Sequence, residues 1–562
     1  MSKGSRGGSS ALRGGSPRKR RTLRNRYRDF RRLHWIAIVL AKHGLGELAS
    51  VVAARYPFLR FSGSRVEAEL SRGGRLRLAL EELGPTFVKL GQILSLRPDL
   101  VPPDIAGELR KLQDEAPPFP FSEVRAQIET EFGRPLTAVF QEFEEKPLAA
   151  ASLAQVHRAR TREGESVAVK IQRPGIREVI EADLDILFEL AILAERHLPD
   201  GELYDPVGAV EEFARTIREE LDFTREGRHM EIFKHNFAGD ETIYVPKVHW
   251  EYTTPHVLVM EYIEGIKISD LARLEGAGLD RKVIARNGAR AILKQVFEHG
   301  FFHADPHPGN LLVLPGNVIV PLDFGMMGRL GEELRGQVAE LLAGFVKKDV
   351  DRIIVALREM GSLDTEVDTH ALRAELLGLI DYYYGVPLKQ LDFRRIFEEG
   401  IRLLHSFRIK VPRGLVLMGK ALVTEEGVGR MLDPDFDMVS MAKPYVERLL
   451  LQRYDPRRQL AGLLEILDGY QRLLVRLPTD VQAALAGLAE LGRTSAARGE
   501  VASRDRLSLA LVASALFLGA SLIVQAGAGP RLWGVPVLGL LGYVGAAVLV
   551  GWLLIVLWSR GS

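Results

Sequence analysis

The sequence predicts a two-lobed α+β protein, with a helical extension before the lobes and an apolar helical hairpin after them. Short β-like segments are concentrated in the first lobe, where LAQVHRAR (153–160) and SVAVKIQ (166–172) flank a polar turn. Helical patterns dominate from residue 266 to residue 500, and the only charged residue between Leu507 and Trp558 is Arg531. A chain of 562 residues that is 46% hydrophobic is too long for one core and too apolar to be disordered throughout.

The first 32 residues are predicted to form a disordered basic arm. They carry twelve Lys or Arg and a single acid, Asp29, in a stretch rich in Gly and Ser. Such an arm is attracted to anionic lipid headgroups, although a solvated tail without a partner is an equal alternative. No nucleic-acid-binding module accompanies the arm, so nucleic acid is not an expected partner. The chain has no cysteine, which excludes disulfides, thiolate metal sites and cysteine nucleophiles.

The patterns between the arm and the apolar hairpin predict where each lobe begins and ends. Helical spacing in RLRLALEELGPTFVKLGQILSL (75–96) marks the extension, VHWEYTTPHVLVMEYIEG (248–265) reads as two strands, and NLLVLPGNVIVPLDFG (310–325) as two more. The predicted segments are a disordered arm (1–32), a helical extension (33–120), a small lobe (121–265), a large helical lobe (266–450), a helical connector (451–506) and two transmembrane helices (507–558).

The apolar C-terminus predicts two membrane-spanning helices. Stretches 507–526 and 535–558 are each long enough, at about 1.5 Å per residue, to cross a hydrocarbon layer of ~30 Å. Basic residues flank the outer ends of the pair, so both ends and the lobes are expected on the cytoplasmic side. The alternative is a buried hairpin of a large soluble core. Small residues of the second stretch would permit close packing on another helix, and hence a homodimer: Gly539, Gly542, Gly545 and Ala546.

The motifs HADPHPGN (303–310) and DFG (323–325) predict phosphoryl-transfer chemistry. The interval from Asp305 to Asn310 equals that of the kinase catalytic loop H-R-D-x-x-x-x-N. Phosphoryl transfer needs a carboxylate beside the attacking group and hard oxygen ligands for Mg²⁺. We therefore predict that Asp305 is the catalytic carboxylate and that Asn310 and Asp323 bind the Mg²⁺ of ATP. Each motif by itself is also compatible with an ordinary turn.

Two upstream segments match the phosphate-binding parts of a kinase. VAVK (167–170) ends a strand with Lys170, the predicted phosphate anchor. The segment before it can be aligned with G-x-G-x-x-G-x-V, with alanine in place of every glycine, or read as small residues inside a helix. A Cβ at these positions keeps backbone amides away from phosphate, so an altered loop geometry is expected, with Ser152 restoring one donor. The predicted ATP-binding residues of this segment are Leu148, Ala149, Ala150, Ala151, Ser152, Leu153, Ala154, Gln155 and Val156.

Together these motifs resemble the UbiB family, an atypical kinase-like family associated with ubiquinone biosynthesis. The resemblance rests on the Ala-rich segment, VAVKIQRPG (167–175), ELDFTREG (220–227), HADPHPGN, DFG and KLGQ (89–92). It implies an atypical protein-kinase-like two-lobed fold. It also implies residue roles, in which Glu226 pairs with Lys170.

The remaining family motifs are expected to face the same cleft. Glu220 and Asp222 match an acidic E-x-D element near the phosphates, and Lys89 and Gln92 match a K-x-G-Q signature that packs across the cleft. From the sequence alone, Lys89 is instead expected to be an exposed helical lysine. If it points into the cleft, it needs a carboxylate or a phosphate as partner.

The resemblance further implies magnesium-dependent ATP use that supports the biosynthesis of ubiquinone or another isoprenoid quinone. The expected place is the bacterial inner membrane, and the expected partners are anionic membrane lipids and quinone-biosynthesis enzymes or intermediates. A helical pattern follows the DFG at once, with no A-P-E motif, so a platform for protein substrates is not expected. Two alternatives stay open: a small-molecule or lipid phosphotransferase, and a nucleotide-gated scaffold without turnover.

Overall fold

The computed structural model describes residues 23–45, 70–95, 101, 103–112, 116–197, 206–361, 367–383, 393–407, 409 and 411–453. Toward the C-terminus it describes residues 512–514, 516–521, 524, 531–532 and 535–558. The chain forms two units, Met1–Asp455 and Pro456–Ser562, which are taken in turn. The predicted connector (451–506) lies almost wholly outside the described residues.

The first unit opens with four helices. They are α1 (Leu23–Lys42), α2 (Arg72–Leu83), α3 (Pro85–Leu94) and α4 (Pro103–Leu109). Helix α1 begins inside the predicted disordered arm, so the prediction is wrong for the last ten residues of that arm. The hydroxyl of Ser71 caps α2 by accepting a hydrogen bond from the backbone N–H of Gly74. Gly84, at φ +100°, separates α2 from α3, and Pro85 starts α3, a position where its missing N–H is tolerated.

The small lobe is an antiparallel sheet covered on one face by two short helices. Its elements are α5 (Phe121–Phe132), α6 (Leu136–Val139), β1 (Phe140–Phe143), β2 (Ala149–Ala150), β3 (Ala154–Thr161), β4 (Ser166–Gln172) and β5 (Val257–Glu261). The strand order is β1-β3-β4-β5, with β2 paired to β3. The predicted hairpin of β3 and β4 is present, with His157 opposite Val169.

Residues 248–265 contain one strand where the sequence predicted two. Only β5 forms in this segment, and Val248 contributes a single bridge to Met260. Residues Trp250–Tyr252 adopt a 3₁₀ turn, which brings the ring of Tyr252 to 5.7 Å from that of Phe140, measured between centroids. Burial of the tyrosine ring therefore outweighs the β propensity of the segment.

Three helices lie between β4 and β5 in the chain: α7 (Ile176–His197), α8 (Pro206–Glu220) and α9 (Phe223–Asn236). The apolar faces of α7 and α8 share one core cluster with the four N-terminal helices. Leu153, at the tip of the β2–β3 hairpin, belongs to the same cluster. The N-terminal helices are therefore packed on the small lobe and its helices.

Among the described residues, the large lobe combines two small sheets with eight α-helices, and a π-helix (Lys294–His299) continues the second of them. Strands β6 (Ile266–Lys267), β8 (Leu311–Leu314) and β9 (Val318–Pro321) form one sheet, and β7 (Phe301–His303) pairs with β10 (Met327–Arg329). The helices are α10 (Leu271–Gly276), α11 (Arg281–Leu293), α12 (Glu332–Lys347), α13 (Val350–Glu359), α14 (Thr369–Tyr382), α15 (Phe393–Ser406), α16 (Arg413–Leu432) and α17 (Met438–Arg453). The predicted strands before the DFG motif are β8 and β9.

The second unit contains a short hairpin and one long helix among its described residues. Strands β11 (Arg531–Leu532) and β12 (Val535–Pro536) pair and lead into α18 (Val537–Trp558). A Cβ at Gly539 would lie 2.5 Å from Val524 Cγ2, and one at Gly542 would lie 2.9 Å from Ala520 Cβ. These two small residues therefore pack against a preceding segment of the same chain, and the predicted homodimer stays untested.

The predicted transmembrane hairpin is not supported. No helix in the described part of the chain is both long and apolar enough to cross a membrane. Much of the first predicted span, 507–526, lies outside the described residues. A multi-pass position in a membrane is therefore not supported either.

Candidate nucleotide site

Lys170 lies at the centre of the cleft between the two lobes. Its Nζ is 2.8 Å from both carboxylate oxygens of Glu226, on the first turn of α9. The same Nζ is 3.7 Å from Oδ1 of Asp323. Lys170 lies on β4 of the small lobe, and Asp323 lies on the DFG segment of the large lobe. One cation therefore joins both lobes.

The three charges of this trio affect one another in different ways: burial, together with the negative charge of Asp323, raises the pKa of Glu226, although the ammonium of Lys170 acts to lower it. Burial acts to lower the pKa of Lys170, but the charges of Asp323 and Glu226 outweigh burial and hold that pKa above its ordinary value. Lys170 holds the pKa of Asp323 well below its usual range, and the backbone N–H of Gly325, which donates to Oδ1 at 2.9 Å, contributes to the same effect. Asp323 is therefore an ionised carboxylate whose side chain is still 45% exposed.

His303 ties the catalytic-loop motif to the DFG motif. Its Nδ1 accepts a hydrogen bond from the backbone N–H of Asp305 at 3.1 Å, which leaves Nε2 to donate to the carbonyl of Asp323 at 2.5 Å. Burial lowers the pKa of His303, in keeping with this neutral tautomer. The imidazole is therefore a positioning group that ties together the backbones of the two motifs on the large-lobe side of the cleft.

Asp305 and Asn310 occupy the loop between β7 and β8. The carboxylate of Asp305 is 43% exposed and lies 3.2 Å, through Oδ1, from Nζ of Lys420 on α16. Asn310 ends a 3₁₀ turn and accepts a backbone hydrogen bond from Leu322 at 3.0 Å, next to Asp323. His307, which precedes this turn, accepts a hydrogen bond from the backbone N–H of Gly309 at 3.2 Å, so its ring stabilises the loop.

The Ala-rich segment forms a tight β-hairpin. Ala149 pairs with Val156 and Ala150 with Gln155, and the backbone N–H of Ala151 donates to the carbonyl of Ala154 at 2.7 Å. This arrangement excludes the alternative in which the segment is helical. The alanines thus lie in β2, in the turn after it and at the start of β3.

Three residues of that segment do not fit the predicted contact with ATP. Ser152 is 4% exposed, so the phosphate donor predicted there is not supported. Leu153 is buried against the N-terminal helices. The side-chain amide of Gln155 exchanges hydrogen bonds with the backbone N–H and carbonyl of Phe119, at 3.0 and 3.3 Å. Ser152 and Leu153 lie in the turn between β2 and β3, whereas Gln155 lies on β3 and is bound by the segment that precedes α5.

Lys89 faces the cleft and is not an exposed helical lysine. Its Nζ lies 3.2 Å from Oε2 of Glu220, and the two side chains are only 13% and 11% exposed. The charge of Lys89 also contributes to the lowered pKa of Asp323, after the larger effect of Lys170. Helix α3 therefore brings a second cation to the cleft, and its charge acts on the pKa of Lys170 as well.

Asp222 and Gln92 have local structural partners. The carboxylate of Asp222 caps α9 by accepting from the backbone N–H of Thr224 at 3.1 Å and from its hydroxyl at 2.6 Å. The side-chain amide of Gln92 donates to the carbonyl of Leu112 at 3.3 Å. Glu220 of the acidic element and Lys89 of the KLGQ segment thus contact each other. The side chains of Asp222 and Gln92 instead form hydrogen bonds with backbone groups.

The residues of the cleft fit Mg²⁺ that is bound together with nucleotide phosphates. In the described residues, no group of three or more His, Asp or Glu lies close enough to hold a metal ion. Mg²⁺ is usually bound by one or two protein oxygens, water and substrate phosphates, and it does not need a full protein cage. The ionised, half-exposed carboxylate of Asp323, with Asn310 next to it, matches that requirement.

Several residues of the site were not found from the sequence. Lys420 reaches Asp305 from α16, and the ring of His229 contacts the carbonyl of Phe324 of the DFG motif at 3.0 Å. The side chain of Gln295 accepts from the backbone N–H of His303 at 2.9 Å. No local motif signals these contacts: Lys420 and His229 are distant in the chain from their partners, and Gln295, eight residues before His303, lies outside the HADPHPGN motif.

The strand-borne lysine paired with a helical glutamate, the carboxylate of the DFG segment and the loop of Asp305 define an atypical kinase-like domain. The sequence matches the ABC1 atypical kinase-like domain over residues 111–357, the UbiB helical domain over 376–437 and the ABC1/UbiB kinase-like C-terminal domain over 502–559. The chain belongs to the ABC1/UbiB family of atypical kinase-like proteins.

Relatives match this chain over most of its length. A probable protein kinase UbiB of Pseudomonas fluorescens is 40% identical over 446 residues, which cover 77% of this chain and 83% of that protein. The uncharacterized protein sll1770 of Synechocystis is 38% identical over 396 residues, covering 69% and 68%. The solved complex of Rv3197 with erythromycin, from Mycobacterium tuberculosis, is 24% identical with a TM-score of 0.47, and covers 63% of this chain and 90% of that one.

Proposed function

We propose that the protein binds Mg²⁺-ATP in the cleft and hydrolyses it in support of the biosynthesis of ubiquinone or another isoprenoid quinone. The observation that carries this proposal is the contact of Lys170 with both Glu226 and Asp323. Kinases bind the phosphates of ATP with a lysine that is held in this way between the two lobes. The quinone part of the proposal comes from the family to which the chain belongs.

The residues divide the chemistry between them. Lys170 binds the α and β phosphates, and Glu226 holds its ammonium in place. Asp323 and Asn310 supply oxygen ligands to Mg²⁺, which neutralises charge on the phosphates. Asp305 accepts the proton of the attacking water while the bond between the γ-phosphorus and the bridging oxygen breaks. ADP leaves with that electron pair, and inorganic phosphate is the second product.

Two features favour hydrolysis over phosphorylation of a protein. Strand β10 pairs with β7 directly after the DFG motif, and α12 begins at Glu332, so little chain is available between them to hold a peptide. The N-terminal helix α3 also lies against the cleft, where Lys89 contacts Glu220. A small or membrane-dissolved molecule is more compatible with this access than a folded protein.

The proposed partners are anionic lipids and quinone-biosynthesis enzymes or intermediates. Their support lies in the sequence, in the basic charge of residues 1–32 and the nearly uncharged stretch 507–558. Contact with a lipid surface needs no spanning helix, so a peripheral association is proposed.

The first prediction tests turnover. Phosphate release from ATP is measured for the full-length protein, alone and with vesicles containing anionic lipid. Asp323→Asn is expected to lower the rate by about 100-fold or more, because a ligand of Mg²⁺ is lost without a change of volume. The variant is expected to stay folded but to melt at a lower temperature, because its ion pair with Lys170 is lost. Asp435→Asn, at an exposed carboxylate outside the cleft, is the matched control and is expected to behave like the parent protein.

The same assay separates the alternatives. Release that is equal in the parent and in Asp323→Asn would contradict the assigned metal site. Transfer of the γ-phosphate to a lipid extract would make the protein a phosphotransferase. ATP binding with no release under either condition would favour a nucleotide-gated scaffold.

A further inference from the structure

Lys420 is a cation beside the proposed catalytic carboxylate that comes from outside the kinase-like motifs. It lies on α16, within the stretch that matches the UbiB helical domain. Its Nζ is 3.2 Å from Oδ1 of Asp305, and its side chain is 26% exposed. The ammonium is therefore half-buried at the mouth of the cleft, where the γ-phosphate of ATP would meet Asp305.

The loop that carries Asp305 has no cation of its own. HADPHPGN contains neither Lys nor Arg, and the ring of His307 is engaged with the backbone N–H of Gly309. The two other lysines of the cleft face different carboxylates, since Lys170 contacts Glu226 and Lys89 contacts Glu220. Lys420 is thus the cation that the described residues place at the reacting end of the site.

Helix α16 is well suited to hold a charge in a fixed place. Its residues Leu417, Met418, Ala421 and Leu422 are buried in the core of the large lobe. A neighbouring helix is anchored on α16 as well, because the carboxylate of Glu426 accepts hydrogen bonds from the backbone N–H groups that begin α15. A functional group on a packed helix is positioned more accurately than one on a loop.

We propose that Lys420 is a catalytic residue which contacts the transferred phosphoryl group. When ATP is bound, its ammonium donates hydrogen bonds to the γ-phosphate oxygens, on the side away from Lys170. Charge on these oxygens in the transition state is stabilised by such a cation, and Asp305, released from the ion pair, accepts the proton of the attacking water. This inference rests on the proposed function. It adds the residue that supplies a positive charge at the γ-phosphate.

The test compares ligands that differ only at the γ position. Binding of Mg²⁺-ADP, and of Mg²⁺-ADP with aluminium fluoride as a mimic of the transferred phosphoryl group, is measured by calorimetry on the full chain. Lys420→Met is expected to leave the affinity for ADP unchanged within about twofold and to weaken the aluminium fluoride complex by about 100-fold. Phosphate release is expected to fall by a similar factor, and Lys420→Arg is expected to recover part of both. Lys443→Met, at an exposed lysine that contacts Glu447, is the matched control.

Each outcome has a definite meaning. If the parent protein hydrolyses ATP and Lys420→Met binds the aluminium fluoride complex as the parent does, the inference is wrong. If Lys420→Met weakens ADP and the aluminium fluoride complex by the same factor, the lysine only supports the fold of the cleft, which also overturns the inference. If the parent binds no nucleotide, the proposed function itself fails.

Discussion

At the scale of single residues, Glu425 is an acid in an apolar place. It lies on α16 and is 4% exposed, at a cavity of about 30 Å³ that Gly288, His303 and Pro306 also line. Burial raises the pKa of Glu425 to about 7. The neutral carboxylic acid is therefore the form that the fold favours at this position beneath the catalytic loop.

This pKa predicts a pH dependence of stability. The native pKa lies above the ordinary value of 4.5, so the native state holds a proton that the unfolded chain releases, and stability falls as the pH rises from about 4.5 to about 7. Glu425→Gln has no such proton to release, so it is expected to be more stable than the parent above pH 7. The difference in the free energy of unfolding between variant and parent is expected to be about 3 kcal/mol larger above pH 7 than at pH 4.5.

Urea unfolding at pH 5 and pH 8 measures the effect. Glu447→Gln, at an exposed position on α17, is the control and is expected to show no such change between the two pH values. A difference between Glu425→Gln and the parent that is equal at both pH values would contradict the predicted burial of a neutral acid.

At the scale of elements, the glycine of the KLGQ segment is a packing residue. A Cβ at Gly91 would lie 2.3 Å from Leu112 Cδ1 and 2.8 Å from Leu80 Cδ1. The next residue, Gln92, donates to the carbonyl of Leu112. The segment therefore fastens α3 to its neighbours, while Lys89 points to the cleft from the same helix.

Gly91→Ala is therefore expected to destabilise the protein. Two leucine side chains must move to admit one methyl group, which corresponds to a loss of about 1 to 3 kcal/mol in the free energy of unfolding. Gly107→Ala is the matched control, because a Cβ at that helical glycine meets nothing within 4 Å. The melting temperatures of both variants test this prediction. Equal shifts of the melting temperature in the two variants would show that close packing at Gly91 is not the cause of the destabilisation.

The sequence predicts those elements and contacts whose signals are local. The β3–β4 hairpin and strands β8 and β9 follow from alternation and turn residues. Lys170 lies within β4, which continues to Gln172 beyond the strand end predicted at VAVK, and Asp323 lies two residues after β9. The 3₁₀ turn at Trp250–Tyr252 is missed because ring packing decides it. The inward orientation of Gln155 is missed because the backbone of Phe119, 36 residues earlier in the chain, binds its side chain. Lys420 is missed because nothing near it in the chain indicates that it meets Asp305.

At the scale of the first unit, one arginine joins three helices. The guanidinium of Arg32, on α1, donates to both carboxylate oxygens of Asp183 on α7, at 2.7 and 3.0 Å. It also donates to the carbonyl of Leu83, at the end of α2, at 2.8 Å. Asp183 is 1% exposed, so the N-terminal helices provide the charge that a buried carboxylate of the kinase-like part requires.

Arg32→Met is expected to destabilise the whole unit by about 3 to 5 kcal/mol, because Asp183 would stay buried without a cation. Lys42 lies on α1, like Arg32, and pairs with Glu82 on α2. Because this lysine is exposed, Lys42→Met is expected to change the free energy of unfolding by at most about 1 kcal/mol. Urea midpoints of the two variants and of Arg32→Met/Asp183→Leu provide the measurement. A double variant that is no more stable than Arg32→Met would count against the buried charge as the cause.

The contact between Lys420 and Asp305 also bears on how the protein is made. The ribosome synthesises residues 111–357, which match the ABC1 domain, before it synthesises the helix that carries Lys420. During that interval the nascent chain already contains Lys170, Asp305 and Asp323 but lacks the last cation. Because the same helix also supplies core residues of the large lobe, the growing polypeptide completes neither this lobe nor the charge at its site until synthesis has passed the UbiB helical domain.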